Sequence, residues 1–227
     1  MFIVEDFSKI REERQKNNYL LAESSEFSTE YINVKAMSRV CEHLGMNKEQ
    51  LMNQPEQFKK LLSMQVSVNA SRQGTKDEGY VIDGISKYLK KYNISIRNLG
   101  THDKIPLQDG NILSRKDCKK LNIPKNEQLK SFDFEGSVFN KKILGFAKVC
   151  VGDGGHQDNV FLETVSLLEW VDKHGDNNHL YIAMIDGLND KATKKYNGLK
   201  QKYSHLKNVF IGDHQQVQKH LKANYGR

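Results

Sequence analysis

Residues 132–151, FDFEGSVFNKKILGFAKVCV, carry the pattern that decides the fold. Phe132 and Phe134 alternate with acidic residues, which is typical of a strand with one apolar face, and Gly136 indicates a turn region after them. The β-branched and aromatic run KKILGFAKVCV predicts a neighbouring strand. This stretch therefore predicts a strand pair inside a larger sheet.

The remainder of the chain alternates helix and strand patterns. In order, these are the helix VFLETVSLLEWVDKHG, the buried strand HLYIAMIDG, the basic helix NDKATKKYNGLKQKYSHL, the short strand NVFIGD and the helix QQVQKHLKANYG. Such alternation is typical of an α/β sheet whose strands are partly parallel. We expect an α/β fold with a central mixed β-sheet flanked by helices.

The N-terminal region has apolar residues at helical spacing. Gly45 is predicted to end one helix, Asn47 to cap the next, and Pro55 to mark a break and restart. We expect a helical N-terminal extension, residues 1–65, followed by an α/β core, residues 66–227, within one compact domain overall.

Two segments lie between these regions. The apolar residues of GYVIDGISKYLKKY predict a helix, with Glu78 near its start because acidic residues suit the first turn. Residues 93–128 are polar and broken by Gly, Pro and Asp. They predict connecting or target-contacting structure rather than core.

Composition limits the class of protein. The chain has 227 residues, a formal charge of +7 and a pI near 9.1, which favour a polyanionic partner without establishing one. Cys41, Cys118 and Cys150 are odd in number and widely spaced, so we expect free thiols and no zinc site. The charged N-terminal sequence is unlike a signal peptide, and no segment has the length of a membrane span. We expect a cytoplasmic protein without membrane partners.

The glycine turn VGDGGHQDN, residues 151–159, raises the question of a nucleotide site. Gly152 and Gly154 fit the first two positions of the Rossmann fingerprint, but Gln157 occupies the third. The P-loop pattern fails at the same residue, so the turn matches neither phosphate-binding pattern in full. Asp158 or Asn159 could equally serve only to cap the following helix.

Lys148 raises a second question, because a lysine in an apolar strand needs a charged partner or a solvated amine. If the strands pair, Asp133 or Glu135 meets Lys148 at one end of the sheet. The residues alone leave a structural ion pair and a functional site equally open. In the functional interpretation, phosphodiester hydrolysis requires carboxylates around Mg²⁺ and a positive group, which Asp133, Glu78 and Lys148 supply.

The order of these elements resembles the common core of the PD-(D/E)xK nucleases, which include many type II restriction endonucleases. The resemblance rests on NASRQGTKDE, FDFEG and FAKVCVGDGGHQDN, and it covers residues 69–187. The turn GGHQDN, residues 154–159, follows Lys148. It is similar to the Gly-Gly-x-Gln-Asp-Asn turn that follows the catalytic lysine in restriction enzymes of the HhaII and HinfI type. That group would imply GANTC as the target.

The resemblance implies a role for each matching residue. Asp133 would bind Mg²⁺, Lys148 would contact the scissile phosphate or the attacking water, and Glu78 would support the metal site. The family's glutamate two residues before the lysine is Phe146 here, which cannot bind a cation. The candidates to complete the metal shell are Gln157, which we favour, and Asp158, Glu135 and Glu163.

The DNA-contacting residues are harder to assign. Arginine can pair with guanine, and asparagine or glutamine with adenine. We assign DNA contacts to Asn69, Ser71, Arg72, Gln73, His156 and Asn159, although the first four could equally form a polar loop that positions Glu78. A basic helix with Lys191, Lys194, Lys195, Lys200 and Lys202 could follow the phosphate backbone or form a solvated face.

The sequence therefore predicts a Mg²⁺-dependent type II restriction endonuclease that cuts both strands of duplex DNA. A near-palindromic site is matched most simply by a homodimer, and a cognate methyltransferase is implied in the cell. One alternative is a non-catalytic nucleic-acid-binding α/β protein. Another is a mononucleotide-binding domain that uses the glycine turn.

Overall fold

The computed structural model describes residues 1–4, 7–23, 41–42, 44–55, 70–100, 103–150, 156–187 and 190–226. The chain divides into two compact units. One comprises Asp6–Lys76, and the other comprises Met1–Glu5 with Asp77–Arg227.

The described elements of the Asp6–Lys76 unit are helical. They are α1 (Phe7–Glu23), α2 (Lys48–Met52) and the first residues of α3 (Ala70–Leu89). Gly45 has a φ of +62° directly after helical residues, and Met46 N–H donates to the Cys41 carbonyl across it. Asn47 then forms a capping box with Gln50 at the start of α2. The predicted stop and cap are confirmed.

The larger unit contains the sheet and most of the helices. Its elements after α3 are β1 (Ser95–Asn98), β2 (Ile105–Pro106), β3 (Ile112–Leu113), α4 (Arg115–Lys120), β4 (Phe134–Val138), β5 (Lys141–Val149), α5 (His156–His174), β6 (His179–Asp186), α6 (Asp190–Lys202), β7 (Val209–Gly212) and α7 (His214–Tyr225). The five-stranded sheet has the order β1-β4-β5-β6-β7, and β2 and β3 form a separate hairpin.

The sheet is mixed, as the sequence predicts. Strands β1, β4 and β5 pair antiparallel, whereas β5, β6 and β7 pair parallel. Strand β6 is buried along nearly its whole length because it lies between two parallel neighbours. The coarse prediction of an α/β fold with a mixed sheet flanked by helices is confirmed.

Two clusters of buried side chains tie the helices to the sheet. One joins α5 and α6 to β6 and β7 through Leu168, Leu199, Ala183 and Ile211, among others. The other is centred on Phe132, Phe146, Trp170 and Tyr181. All three cysteines are free thiols, with Cys118 and Cys150 buried. Among the helices in the described ranges, none is both long enough and apolar enough to cross a bilayer.

Three local predictions are wrong. Gly136 lies inside β4 rather than in a turn, because it pairs with Ile96 and Ile143 on either side. Residues 93–128 contain β1, the β2–β3 hairpin and α4, with a small buried core formed by Ile105, Leu107 and Cys118. These elements are too short, and too closely flanked by turns, to show a regular apolar period in the sequence.

The third wrong prediction concerns the start of α3. This helix begins at Ala70, so Glu78 lies well inside it rather than near its first turn. Residues 70–76, ASRQGTK, contain no large apolar residue, so no apolar period in the sequence predicts this part of the helix.

Candidate active site

Three charged side chains meet between α3, the residue before β4 and the C-terminal end of β5. Lys148 Nζ lies 2.9 Å from Glu78 Oε1 and 3.6 Å from Asp133 Oδ2. The exposed fractions of the side chains are 9% for Lys148, 15% for Glu78 and 19% for Asp133. The structure therefore brings together the three predicted catalytic residues in a largely buried cluster.

Strand pairing fixes the position of Asp133. Its backbone N–H donates to the Gly145 carbonyl at 2.8 Å, which extends the β4–β5 ladder by one residue. Its Oδ2 accepts a hydrogen bond from the Ala147 N–H at 2.9 Å. The carboxylate is thus held against the backbone of the strand that carries Lys148.

Packing of α3 fixes the position of Glu78. Val81, Ile82, Ile85 and Leu89 are almost fully buried and recur at the spacing of one helix face. Ser86 Oγ also donates to the Ile96 carbonyl at 2.6 Å, which ties the helix to β1. These contacts hold α3 so that Glu78 reaches Lys148.

The charges in the cluster do not balance. One ammonium faces two carboxylates, so the formal charge is minus one. Burial raises the pKa of Glu78 and of Asp133, although Lys148 opposes the rise in both. Burial opposes the charge on Lys148, but Asp133 and Glu78 outweigh it and raise the pKa of the lysine. The site therefore favours an additional positive charge.

Phe146 is a core residue. It is 1% exposed and packs with Phe132, Trp170 and Tyr181. Its ring also lies beneath the lysine, since Lys148 Nζ is 4.7 Å from the ring centroid. The position at which the resemblance implies a carboxylate is thus occupied by an apolar side chain of the core.

The other carboxylates proposed for the metal shell have different partners. Glu135 forms an ion pair with Arg97 of β1. Glu163 Oε1 lies 3.8 Å from Lys130 Nζ, and its charge also acts on Lys148. Of the two alternatives for strand pairing, Asp133 is therefore the one that meets Lys148.

The structure does not describe the side chains of several predicted site residues. Asn69 is outside the described residues. For Ser71, Arg72, Gln73, His156, Gln157, Asp158 and Asn159 only the helical backbone is described. Because α5 begins at His156, Asp158 and Asn159 lie in its first turn and not at its N-cap. The metal and DNA roles assigned to these residues stay predictions.

The basic helix is observed as α6. Lys194, Lys195 and Lys202 are exposed, and Lys202 Nζ lies 3.7 Å from Glu169. Lys200 Nζ donates to Gln216 Oε1 at 3.0 Å, and the side chain of Lys191 is not described. A solvated face and a DNA-contacting face both remain compatible with α6.

Sequence reasoning missed one buried aspartate–histidine pair near the site. His214 Nδ1 lies 2.5 Å from Asp186 Oδ1, and its Nε2 accepts a hydrogen bond from the Val4 N–H at 3.1 Å. Asp186 ends β6 beside Val149 of β5. An aspartate at the end of an otherwise apolar strand is a sequence signal that could have predicted a buried partner for Asp186.

The donor set of the cluster fits Mg²⁺ in part. Mg²⁺ prefers carboxylate oxygens and usually keeps several waters. Asp133 and Glu78 supply two buried carboxylates with raised pKa values, which a bound cation would reverse. Within the described ranges no group of three His, Cys, Asp or Glu side chains could hold a metal. The fit therefore rests on two carboxylates with water or an uncharged ligand.

The sequence matches no protein-family model and no curated protein.

Proposed function

We propose that this protein is a Mg²⁺-dependent endonuclease with a PD-(D/E)xK-type core. The observation that carries the proposal is the meeting of Glu78, Asp133 and Lys148 at one end of a mixed sheet. They come from a helix, from the residue before a strand and from the next strand, which is the order that the resemblance implies. The excess negative charge of the cluster also supports a cation site.

Each residue of the cluster has its own proposed role. Asp133, held by the Ala147 N–H, and Glu78 would hold Mg²⁺, and Gln157 is the proposed further ligand. When bound, the metal would act as a Lewis acid at the scissile phosphate and lower the pKa of a bound water. Lys148 keeps its proton because two carboxylates raise its pKa. It would therefore orient the water or stabilise negative charge rather than act as a base.

The proposed substrate is double-stranded DNA with a short, nearly palindromic site, for which GANTC is the first candidate. A homodimer would present one cluster to each strand, with the N-terminal helices as its interface. We propose that Asn69, Ser71, Arg72 and Gln73 contact DNA from the α3 side, and that His156 and Asn159 contact it from α5.

A second candidate is a nucleic-acid-binding α/β protein without catalytic activity. The burial of Phe146 and the closed contact between Lys148 and Glu78 favour it, because both suit a structural ion pair above an apolar core. In this case the protein would bind DNA equally well with and without a divalent metal, and no cuts would appear.

The test is digestion of unmethylated DNA by the purified full chain, with Mg²⁺ or Mn²⁺ and then with EDTA. Discrete fragments are expected only with metal, and sequencing of their ends reports the site and the stagger. Asp133→Asn and Lys148→Ala should abolish the fragments, while Lys173→Ala, on the exposed side of α5, should cut normally. Full cutting by either site variant would overturn the proposal.

A further inference from the structure

The C-terminal end of α3, the 3-10 turn Lys90–Tyr92 that follows it, and helix α7 carry an unusual concentration of lysine. Residues 84–92 and helix α7 contain no Asp or Glu. Their five lysines are all exposed, and these are Lys87, Lys90, Lys91, Lys219 and Lys222. This surface is therefore strongly positive, and the nearest acidic residues in the sequence are Asp83, four residues before Lys87, and Asp213 at the N-cap of α7.

Cation–π contacts join two of the five lysines to two tyrosines. Lys91 Nζ lies 4.4 Å from the ring centroid of Tyr88 and 5.3 Å from that of Tyr92. Lys222 Nζ, from α7, lies 5.0 Å from the Tyr92 centroid. The two rings are 5.5 Å apart. We name the five lysines and these two tyrosines the lysine–tyrosine patch.

Helix ends explain only part of this charge. A helix C-terminus carries roughly half a negative charge, so the ends of α3 and α7 offset about one of the five lysines. Lys87 lies three residues before Lys90 and four before Lys91, which is the spacing at which like charges repel on a helix. Most of the positive charge therefore remains available to a polyanion.

We propose that the lysine–tyrosine patch binds the phosphate backbone of duplex DNA outside the Lys148 cluster. Lysines that neutralise phosphates release counterions, which is the main source of sequence-independent affinity. Tyrosine hydroxyls donate hydrogen bonds to phosphate oxygens. None of the large apolar side chains exposed in the described chain belongs to the patch, whereas a membrane-binding helix would insert such side chains.

Helix α3 carries residues of both the cluster and the patch. Glu78 and Tyr88 lie on the same helix, and a rise of 1.5 Å per residue puts them about 15 Å apart along its axis, or about four base pairs. The inference deepens the proposed function, on which it rests for its DNA partner, but it does not require cleavage.

The test measures the anisotropy of a short fluorescent duplex with the full chain in EDTA over a series of salt concentrations. Lys91→Gln with Lys222→Gln should weaken binding about tenfold or more and reduce the salt slope by about 2. Lys116→Gln with Lys119→Gln, on exposed positions of α4, is the charge-matched control and should have a much smaller effect. Thermal unfolding checks that both double variants are folded.

The outcomes separate this inference from the proposed function. An unchanged salt slope in the patch variant would overturn the inference, as would binding to anionic phospholipid vesicles in place of DNA. Cleavage by the wild-type chain, together with equal DNA binding and equal cleavage by the patch variant, would overturn the inference alone. Patch-dependent binding without cleavage by the wild-type chain would support the inference and overturn the nuclease proposal.

Discussion

Lys148 Nζ lies 2.9 Å from Glu78 Oε1, although 70 residues separate the two in the sequence. The same ammonium lies 3.6 Å from Asp133 Oδ2, so one cation serves two carboxylates. The stability of the cluster, its response to pH and its affinity for metal all depend on this imbalance of charge.

Lys148→Met should destabilise the protein by about 3 kcal/mol, because it leaves two buried carboxylates without their cation. Urea denaturation measures the loss. Lys173→Met, at an exposed position, should change stability by less than about 0.5 kcal/mol. Adding Glu78→Gln and Asp133→Asn to Lys148→Met should recover part of the loss. Equal effects of the two lysine variants would contradict the charge argument.

The stability of the Glu78→Gln variant relative to wild type should increase as pH rises above about 4, the ordinary pKa of a glutamate. Burial raises the pKa of Glu78, so the folded wild type retains a proton that the unfolded chain has already lost. The stability that this group contributes is complete below its unfolded pKa and is lost as pH rises through the folded pKa. The variant has no such loss. Denaturation at several pH values checks this, and a trend of opposite sign would show that the ion pair with Lys148 outweighs burial.

Mg²⁺ should raise the melting temperature of the wild-type chain. At a metal concentration of about 100 times Kd the gain is about 2.7 kcal/mol, or roughly 5–10 °C for a chain of this size. Asp133→Asn should remove the shift, and KCl at equal ionic strength should not produce it. An equal rise in the melting temperature of Asp133→Asn would show that the metal binds outside the Lys148 cluster. Because this readout does not use activity, it tests metal binding separately from cleavage.

Phe146→Glu should fail to restore a metal ligand and should instead unfold the protein or destabilise it by more than about 3 kcal/mol. The position is 1% exposed among aromatic neighbours, and the cation beside it, Lys148, already faces two carboxylates. The new carboxylate would therefore be buried as a third negative charge beside a single ammonium. Phe146→Leu should cost far less, and circular dichroism distinguishes the two. A stable Phe146→Glu protein with tighter Mg²⁺ binding would show that this side chain can turn towards the cluster.

Gly136→Ala should destabilise the sheet by about 1–3 kcal/mol. A Cβ at this position would collide with the Ser95 carbonyl oxygen of β1. Gly198 lies in α6 with open space around it, so Gly198→Ala should instead stabilise by about 0.5–1 kcal/mol. Melting temperatures of the two variants should therefore shift in opposite directions. Stabilisation by both substitutions would mean that β1 can move away from the added methyl group at little cost.

Local pattern was sufficient wherever an element has a regular apolar period. The strand around Lys148, strand β6 and helices α5 and α7 have such periods, and their existence and type are as predicted. Local chemistry was also sufficient for the Gly45 stop and the Asn47 cap, because each depends on neighbouring residues alone. Short or exposed elements were missed, since β1 has one fully buried side chain and the start of α3 is polar.

The sequence by itself determined which residue types were available for the site, and the alternation that makes the fold α/β. Only the tertiary structure decided that Asp133, and not Glu135, meets Lys148, because the β1–β4 register pairs Glu135 with Arg97. It also decided that Phe146 belongs to the core and that Lys222 lies over Tyr92. These contacts join residues far apart in the chain, and their distances depend on strand register and helix packing, which no local pattern encodes.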